Sequence, residues 1–193
     1  TIDPDVVVAQ VEACFARGLP RFHDMLELGK ATGPVALVAG GPSFNDEIEN
    51  IRNFPGPIIA CGSIHDHMIT HGIIPTYCVM LDPDKVMADF VKLAHPDVCY
   101  LVASHSHPAM FDALEGKNVR VWFPADNVKF PFGAHLVFGG TTCLGRAPNL
   151  AHLQGYREVH IFGCDSSFTD RSHVYGNQGE IPAGTFPVEM GDR

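Results

Sequence analysis

Basic residues are scarce in this sequence, and it has no long apolar run and no closely spaced cysteines. The 193 residues include 13 Lys or Arg against 22 Asp or Glu, and the formal net charge of −9 gives no general basic surface for nucleic acid. No apolar run approaches the roughly 20 residues that a membrane-spanning helix needs. Residues 1–8 lack the basic segment and apolar core of a signal peptide. We therefore expect neither a nucleic-acid partner nor a membrane partner.

The six cysteines are widely spaced and include no C-x-x-C pair, which excludes the usual zinc knuckle. Most of them lie in or beside apolar runs, where a free thiol packs as a small hydrophobic side chain. Reduced cysteines are typical of the cytoplasm, whereas a disulfide framework is the alternative interpretation. On this basis we predict a cytoplasmic protein.

Short apolar segments alternate with segments of helical length along most of the chain. Several apolar segments are almost continuously hydrophobic, which is typical of parallel strands buried on both faces. The alternation predicts an α/β, Rossmann-like fold with a mostly parallel sheet and helices on both faces. The predicted strands are residues 35–40, 57–62, 77–82, 98–104, 119–123 and 159–163, and the predicted helices are residues 45–53, 63–71, 84–94, 108–114 and 141–154.

The length of 193 residues fits a single domain, because domains commonly hold about 100–200 residues. We predict one domain over residues 1–193. Its parts are an N-terminal segment over 1–30 with helices at 6–17 and 20–28, a core over 35–165, and a loop-rich tail over 169–193.

Ligands of open α/β sheets bind outside the carboxyl ends of the strands, so the residues after each predicted strand are the candidate site. The first strand leads into a turn of Gly40, Gly41, Pro42 and Ser43, followed by a helix. Glycine lets the backbone approach a ligand, and the start of a helix offers N–H groups to a phosphate. The turn lacks the Walker lysine and the G-x-G-x-x-G spacing. A plain tight turn with Ser43 or Asn45 as helix cap is the alternative.

Small or acidic residues also follow the next two strands. Gly62 and Ser63 form a second small, polar turn, and Asp82 follows the third strand. A carboxylate at this position suits Mg²⁺ or a ribose hydroxyl, whereas Asp84 is placed to cap the next helix. Asp82 is therefore the candidate metal ligand.

Two histidines follow the fourth strand. Pro108 favours an extended conformation at His107, which would direct His105 and His107 to the same side of the chain. They form a candidate two-imidazole site, and two solvent-facing histidines are the alternative.

A second glycine-rich helix start occurs later in the chain. Gly140, Thr141 and Thr142 precede the last predicted helix, where hydroxyl and backbone N–H groups make another candidate anion site. Pro148 predicts a kink in that helix.

The last predicted strand is followed by Asp165, another carboxylate at a strand end. His173 follows on a glycine-bordered loop, where an imidazole would neutralise a phosphate or transfer a proton. An ordinary surface loop is the alternative interpretation for His173.

Several short motifs follow one another over residues 35–175. The order is G-G-P-S, a small turn after the second strand, L-D-P, G-G-T-T, G-Y-x-x-V-x-I-F-G-x-D and S-H. This arrangement resembles the MptE-like family, named for 6-hydroxymethylpterin diphosphokinase and also found as the central domain of motility-associated flagellin glycosyltransferases. It is similar as well to bacterial sialyltransferases that use CMP-activated sugars.

The resemblance implies roles for particular residues. The turns at 40–43 and 62–63 would face the nucleotide phosphates, and Thr141 and Thr142 would contact the activated donor. His173 would act as a base or support the leaving phosphate. Asp82 would serve Mg²⁺-ATP.

We therefore expect a nucleotide-dependent transferase whose partners are a nucleotide and a small-molecule acceptor, with Mg²⁺ as the candidate cofactor. One reaction is diphosphokinase-like transfer from a nucleoside triphosphate such as ATP. The alternatives are glycosyl transfer from a CMP-sugar and a nucleotide-binding module without turnover.

Overall fold

The computed structural model describes residues 3–25, 27–125 and 135–165. Its centre is a seven-stranded parallel sheet in the order β6-β5-β4-β3-β2-β1-β7. The predicted Rossmann-like fold is thereby confirmed. The strands are β1 (Pro34–Val38), β2 (Ile58–Cys61), β3 (Tyr77–Met80), β4 (Cys99–Ala103), β5 (Asn118–Pro124), β6 (Leu136–Val137) and β7 (Glu158–Phe162).

Helices connect the strands, and several of them are short or begin with a 3₁₀ turn. The α-helices are α1 (Pro4–Ala16), α2 (Ile48–Arg52), α3 (His65–Thr70), α4 (Pro108–Ala113) and α5 (Cys143–Gln154). The 3₁₀ segments are Phe22–Asp24, Pro42–Glu47, Gly62–Ile64 and Lys85–Val91. Within the described ranges no helix is both long enough and apolar enough to cross a membrane.

Strands β1 to β4 are buried on both faces, which explains their nearly continuous apolar sequences, whereas the edge strand β7 is mostly exposed. Along β1, Ala36 and Val38 pack on the side of α1 to α4, whereas Val35 and Leu37 pack on the side of α5. Burying a side chain such as Leu37 stabilises the fold by roughly 1.5–3 kcal/mol. Helices therefore cover both faces, as the alternating pattern predicts.

The secondary structure differs from the prediction in one wrong helix and one missed strand. Among the described residues of 20–28, the predicted helix is only the 3₁₀ turn Phe22–Asp24, because Arg21 pairs with Val121 and Val121 donates a hydrogen bond to the carbonyl of Pro20. Strand β6 was not predicted, since two residues make no periodic pattern. Helix α5 continues past Pro148 to Gln154.

The chain reverses its direction of travel across the sheet at β1. From β1 it proceeds through β2 to β6, and it then returns to place β7 on the other side of β1. The connection from β1 packs on one face and α5 on the other. In such folds the crevice for a ligand lies outside the carboxyl ends of the strands at this switch point.

Candidate functional site

Hydrogen bonds between Ser43 and Asp165 join the carboxyl ends of β1 and β7. The backbone N–H of Ser43 donates to Oδ2 of Asp165 over 2.7 Å, and its hydroxyl donates to Oδ1 over 2.6 Å. Hydrogen bonds to a carboxylate are shorter and stronger than those between neutral groups. Both predicted site residues therefore lie at the switch point, and the two donors of Ser43 are directed to a carboxylate of the protein itself.

Glycine is required at the point where these two strand ends approach each other. A Cβ on Gly41 would overlap Oδ2 of Asp165 and lie 2.6 Å from the carbonyl oxygen of Gly163. The N–H of Gly41 donates to that same carbonyl over 2.8 Å. Gly41 is buried, and its neighbours Gly40 and Pro42 are half-buried. Close strand contact thus accounts for the second glycine of the G-G-P-S turn.

The turns after β2 and β3 meet at the first residue of α5. Gly62 has a φ of +69°, and a Cβ on it would lie 3.1 Å from Sγ of Cys143. The backbone N–H groups of Leu81 and Asp82 also interact with the Cys143 thiol. Ser63 is half-buried in the 3₁₀ turn that follows Gly62. The structure therefore brings the second and third predicted turns together with the start of α5.

Cys143 occupies the centre of this arrangement as a protonated thiol. Burial raises its pKa to about 11, although the backbone N–H of Leu81 offsets part of the effect. A cysteine at the start of a helix commonly has a lowered pKa and a reactive thiolate. Because burial dominates here, the thiol form of Cys143 is favoured, and its side chain packs against the strand ends.

The start of α5 carries the predicted G-G-T-T segment. The Thr142 hydroxyl accepts a hydrogen bond from the N–H of Gly145 over 3.0 Å and so caps the helix. Gly140, Thr141 and Thr142 are exposed. The positive end of the α5 dipole and two exposed threonines therefore lie at the same edge as the turns after β2 and β3.

The carboxylate of Asp82 is exposed at the end of β3. Its Oδ1 accepts a hydrogen bond from the N–H of Asp84 over 2.9 Å. Asp84 in turn accepts from the N–H of Val86 over 3.1 Å and caps the segment Lys85–Val91. Asp84 is the cap, as predicted, and the role of Asp82 as a metal ligand stays a prediction.

His105 and His107 both contact the backbone. Nε2 of His105 donates to the carbonyl of Leu81 over 2.6 Å, which ties the end of β4 to the end of β3. Nδ1 of His107 accepts from the N–H of Ala109 over 3.1 Å and caps α4. The alternative of two solvent-facing histidines is wrong for His105, which is only 6% exposed, because its ring fills the space between two strand ends. His105 supports the segment that carries Asp82.

One predicted site residue, His173, lies outside the described residues. Its part in the site stays a prediction from the sequence.

The comparison with protein families agrees with the order of these motifs. Residues 2–171 match the family described as 6-hydroxymethylpterin diphosphokinase MptE-like. The chain belongs to the MptE-like family. The match includes every strand and helix that carries the candidate site, and it supports a transferase-type function. No curated protein matches the chain.

A solved structure supports the fold of this MptE-like domain. The MAf glycosyltransferase from Magnetospirillum magneticum AMB-1 matches 70% of the chain with a TM-score of 0.60 and 23% sequence identity. The matched part is 24% of that protein, so the MptE-like chain spans about a quarter of its length.

Asp82 is the candidate magnesium ligand of the MptE-like site. Among the described residues no group of three or more His, Cys, Asp or Glu side chains is placed to hold a metal ion. Mg²⁺ bound with a nucleotide, however, commonly uses one or two protein carboxylates together with substrate phosphates. The exposed carboxylate of Asp82 would supply such a ligand, and the ion would neutralise phosphate charge.

Sequence reasoning missed Arg146, a buried residue of the MptE-like site. Its side chain is 3% exposed, and its guanidinium donates to the carbonyls of Gly140 and Val137. The sequence does contain one indication that Arg146 is buried. Arg146 lies four and eight residues before Leu150 and Gln154, which are also buried, and this spacing places all three on the inner face of α5.

Proposed function

We propose that this MptE-like domain is a nucleotide-dependent transferase that binds the nucleotide phosphates at the carboxyl edge of its sheet. One observation carries the proposal: the turn after β2, the end of β3 and the capped start of α5 meet around Cys143. These segments offer backbone N–H groups, hydroxyls and one carboxylate. In Rossmann-like folds ligands bind outside the carboxyl ends of the strands, and the N-termini of helices favour phosphate.

The contacts of Ser43 move the proposed phosphate position away from the turn after β1. Because its N–H and hydroxyl already donate to Asp165, the phosphates are assigned to the turn at 62–63 and to residues 140–142. Gly40, Gly41, Pro42 and Asp165 form the wall between β1 and β7 against which the nucleotide lies.

The proposed reaction is diphosphoryl transfer from a nucleoside triphosphate to a hydroxyl of a small acceptor. The hydroxyl oxygen bonds to the β-phosphorus, the bond from that phosphorus to the oxygen shared with the α-phosphorus breaks, and the nucleoside monophosphate leaves. His173 takes the hydroxyl proton or supports the leaving phosphate. Positioning and electrostatic stabilisation supply most of the catalysis in phosphoryl transfer.

Glycosyl transfer from a CMP-sugar is the second candidate. The observation that favours it is the fold shared with the MAf glycosyltransferase, together with the exposed G-G-T-T segment. In that reaction the acceptor oxygen bonds to the anomeric carbon of the sugar, and CMP leaves. A binding module without turnover is the third candidate.

Calorimetric titration with ATP, CTP and CMP, each with and without Mg²⁺, tests the proposal and separates the candidates. We expect ATP to bind only with Mg²⁺, and we expect AMP release when 6-hydroxymethylpterin is the acceptor. Metal-independent binding of CTP and CMP would favour glycosyl transfer instead. If no nucleotide binds at millimolar concentration, the proposal is wrong.

Two variants test the assigned residues. Asp82→Asn should abolish the Mg²⁺-dependent part of ATP binding, whereas Asp97→Asn, an exposed carboxylate that precedes β4, should leave it unchanged. His173→Ala should bind nucleotide but lose turnover, with the exposed His152→Ala as its control. Unchanged turnover in His173→Ala would remove that residue from the mechanism.

A further inference from the structure

A chain of hydrogen bonds inside the protein links the turn after β2 to strand β4. Nδ1 of His65 lies 2.7 Å from Oδ1 of Asp66, and its Nε2 lies 3.0 Å from the hydroxyl oxygen of Tyr100. His65 and Tyr100 are both fully buried, and the centroids of their rings are 5.3 Å apart. We call Asp66, His65 and Tyr100 the His65 network.

Neighbouring backbone groups determine the direction of each hydrogen bond in the His65 network. The N–H of His95 donates to the Tyr100 hydroxyl oxygen over 2.7 Å. The N–H of Leu93 donates to Oδ1 of Asp66 over 3.2 Å. Because an ionised carboxylate only accepts, Nδ1 of His65 carries a hydrogen and donates to Asp66. In a neutral imidazole, Nε2 then accepts from the Tyr100 hydroxyl, so both ring nitrogens and the hydroxyl have partners.

The order of carboxylate, imidazole and hydroxyl is also that of a catalytic nucleophile with its base. A nucleophile must reach its substrate, however, and the side chain of Tyr100 lies in the hydrophobic core on the side of α1 to α4. Buried polar groups that all have partners favour one arrangement of the chain over others. The His65 network therefore fixes the start of α3 relative to β4.

The His65 network holds the turn to which the proposed function assigns the nucleotide phosphates. His65 follows the 3₁₀ turn Gly62–Ile64, and its backbone N–H donates to the carbonyl of Gly62. The same residue thus closes the turn with its main chain and joins it to β4 with its side chain. A change at Tyr100 would therefore reach the turn through a single residue.

The network also holds the part of the chain that follows Asp82. Asp82 and the cap Asp84 precede the 3₁₀ segment Lys85–Val91. The hydrogen bonds from Leu93 and His95 join the chain just after this segment to the network. Two segments that begin at the ligand edge of the sheet are thereby fixed to the same three side chains.

We propose that Asp66, His65 and Tyr100 are positioning residues of the proposed transferase site, which hold the turn at 62–64 in the shape that accepts the nucleotide phosphates. They act through the backbone of the turn and do not touch the substrate. The inference rests on the proposed function, and it adds that a network inside the core determines the affinity for the nucleotide.

Tyr100→Phe and Asp66→Ala break the two ends of the His65 network. Tyr100→Phe removes only the hydroxyl, so Nε2 of His65 loses its donor. Asp66→Asn is the conservative variant, because its amide oxygen accepts the same hydrogen bonds. Trp122→Phe is the matched control. It also removes one buried hydrogen bond to β4, which Nε1 of Trp122 donates to the carbonyl of Leu101 over 3.0 Å, but this bond does not lead to the turn.

Binding of ATP with Mg²⁺ and of adenosine is measured by calorimetry for each variant, with CMP and cytidine in their place if the wild-type protein binds those instead. We expect Tyr100→Phe and Asp66→Ala to weaken nucleotide binding by about fivefold or more, because the turn loses its fixed shape. Asp66→Asn should weaken it less, and Trp122→Phe should not change it. Nucleoside binding should be unchanged in all variants, since it involves no phosphate.

Hydrogen exchange of the His65 amide, which donates to Gly62, provides an independent readout in the protein without nucleotide. We expect faster exchange in Tyr100→Phe and in Asp66→Ala. Exchange at this amide should be unchanged in Trp122→Phe, even where urea denaturation shows that this control is as destabilised as Tyr100→Phe.

The outcomes separate the inference from the proposed function. Equal weakening of nucleotide binding in Trp122→Phe, or wild-type nucleotide binding in both Tyr100→Phe and Asp66→Ala, would overturn the inference while leaving the proposed function in place. If Tyr100→Phe does not fold, Asp66→Ala and Asp66→Asn decide the question. A wild-type protein that binds no nucleotide would refute the proposed function itself, and the inference with it.

Discussion

Gly41 and Gly140 are both glycines of the candidate site, but only Gly41 lacks space for a side chain. A Cβ on Gly41 would overlap the Asp165 carboxylate and lie 2.6 Å from the backbone of Gly163, whereas the nearest atom to a Cβ on Gly140 would be 3.5 Å away. Gly41→Ala should therefore lower the free energy of unfolding by about 1–3 kcal/mol, because the ends of β1 and β7 must separate. Urea denaturation measures this change.

Gly140→Ala is the matched control for that prediction. Ordinary van der Waals space surrounds its Cβ, so the free energy of unfolding should change by no more than about 0.5 kcal/mol. Equal destabilisation of the two variants would contradict the close contact at Gly41. A sequence pattern alone assigns both glycines to phosphate binding, because it does not show which strand ends are adjacent.

Helix α5 depends on its cap at Thr142, whose hydroxyl accepts from the N–H of Gly145 over 3.0 Å. Thr142→Ala should lower the free energy of unfolding by about 1 kcal/mol, since one N–H of the first turn loses its partner. Thr142→Ser keeps the hydroxyl and should remain close to wild type. The measurement is urea denaturation without nucleotide.

The exposed neighbour Thr141 provides the control for this helix. Thr141→Ala should leave stability unchanged, although it removes a hydroxyl from the same motif. A loss as large as that of Thr142→Ala would mean that the cap is not the reason for the effect. The two threonines are equivalent in the sequence motif, and only the geometry of α5 separates the cap from the exposed residue.

For the whole molecule, the sequence was sufficient to predict the α/β architecture but not the order of the strands in the sheet. Six of the seven strands could be predicted to within two residues, because buried parallel strands are continuous apolar runs. The placement of β7 beside β1 depends on packing between distant segments. Because the sequence does not show that β7 lies beside β1, the hydrogen bond between Ser43 and Asp165 could not be predicted. The buried charge of Arg146 was missed because arginine on a helix is usually exposed.

Stability of the whole domain should also depend on pH near neutrality, through two partly buried histidines. Burial lowers the pKa of His67, and the neighbouring His71 lowers it further. Burial and then His135 lower the pKa of His23, while Asp24 opposes the shift. In the unfolded chain both histidines return to a pKa of about 6.5. Below that pH the unfolded chain therefore binds protons that the folded protein does not.

Because the unfolded chain binds more protons at low pH, acid destabilises the folded protein. The free energy of unfolding is greatest above the unfolded pKa, and it falls as the pH is lowered from about 7 to about 5. Urea denaturation at several pH values should give a shallower pH slope for His67→Gln and for His23→Gln. The exposed His152→Gln should keep the wild-type slope. An unchanged slope in the double variant His23→Gln, His67→Gln would show that other groups control the response.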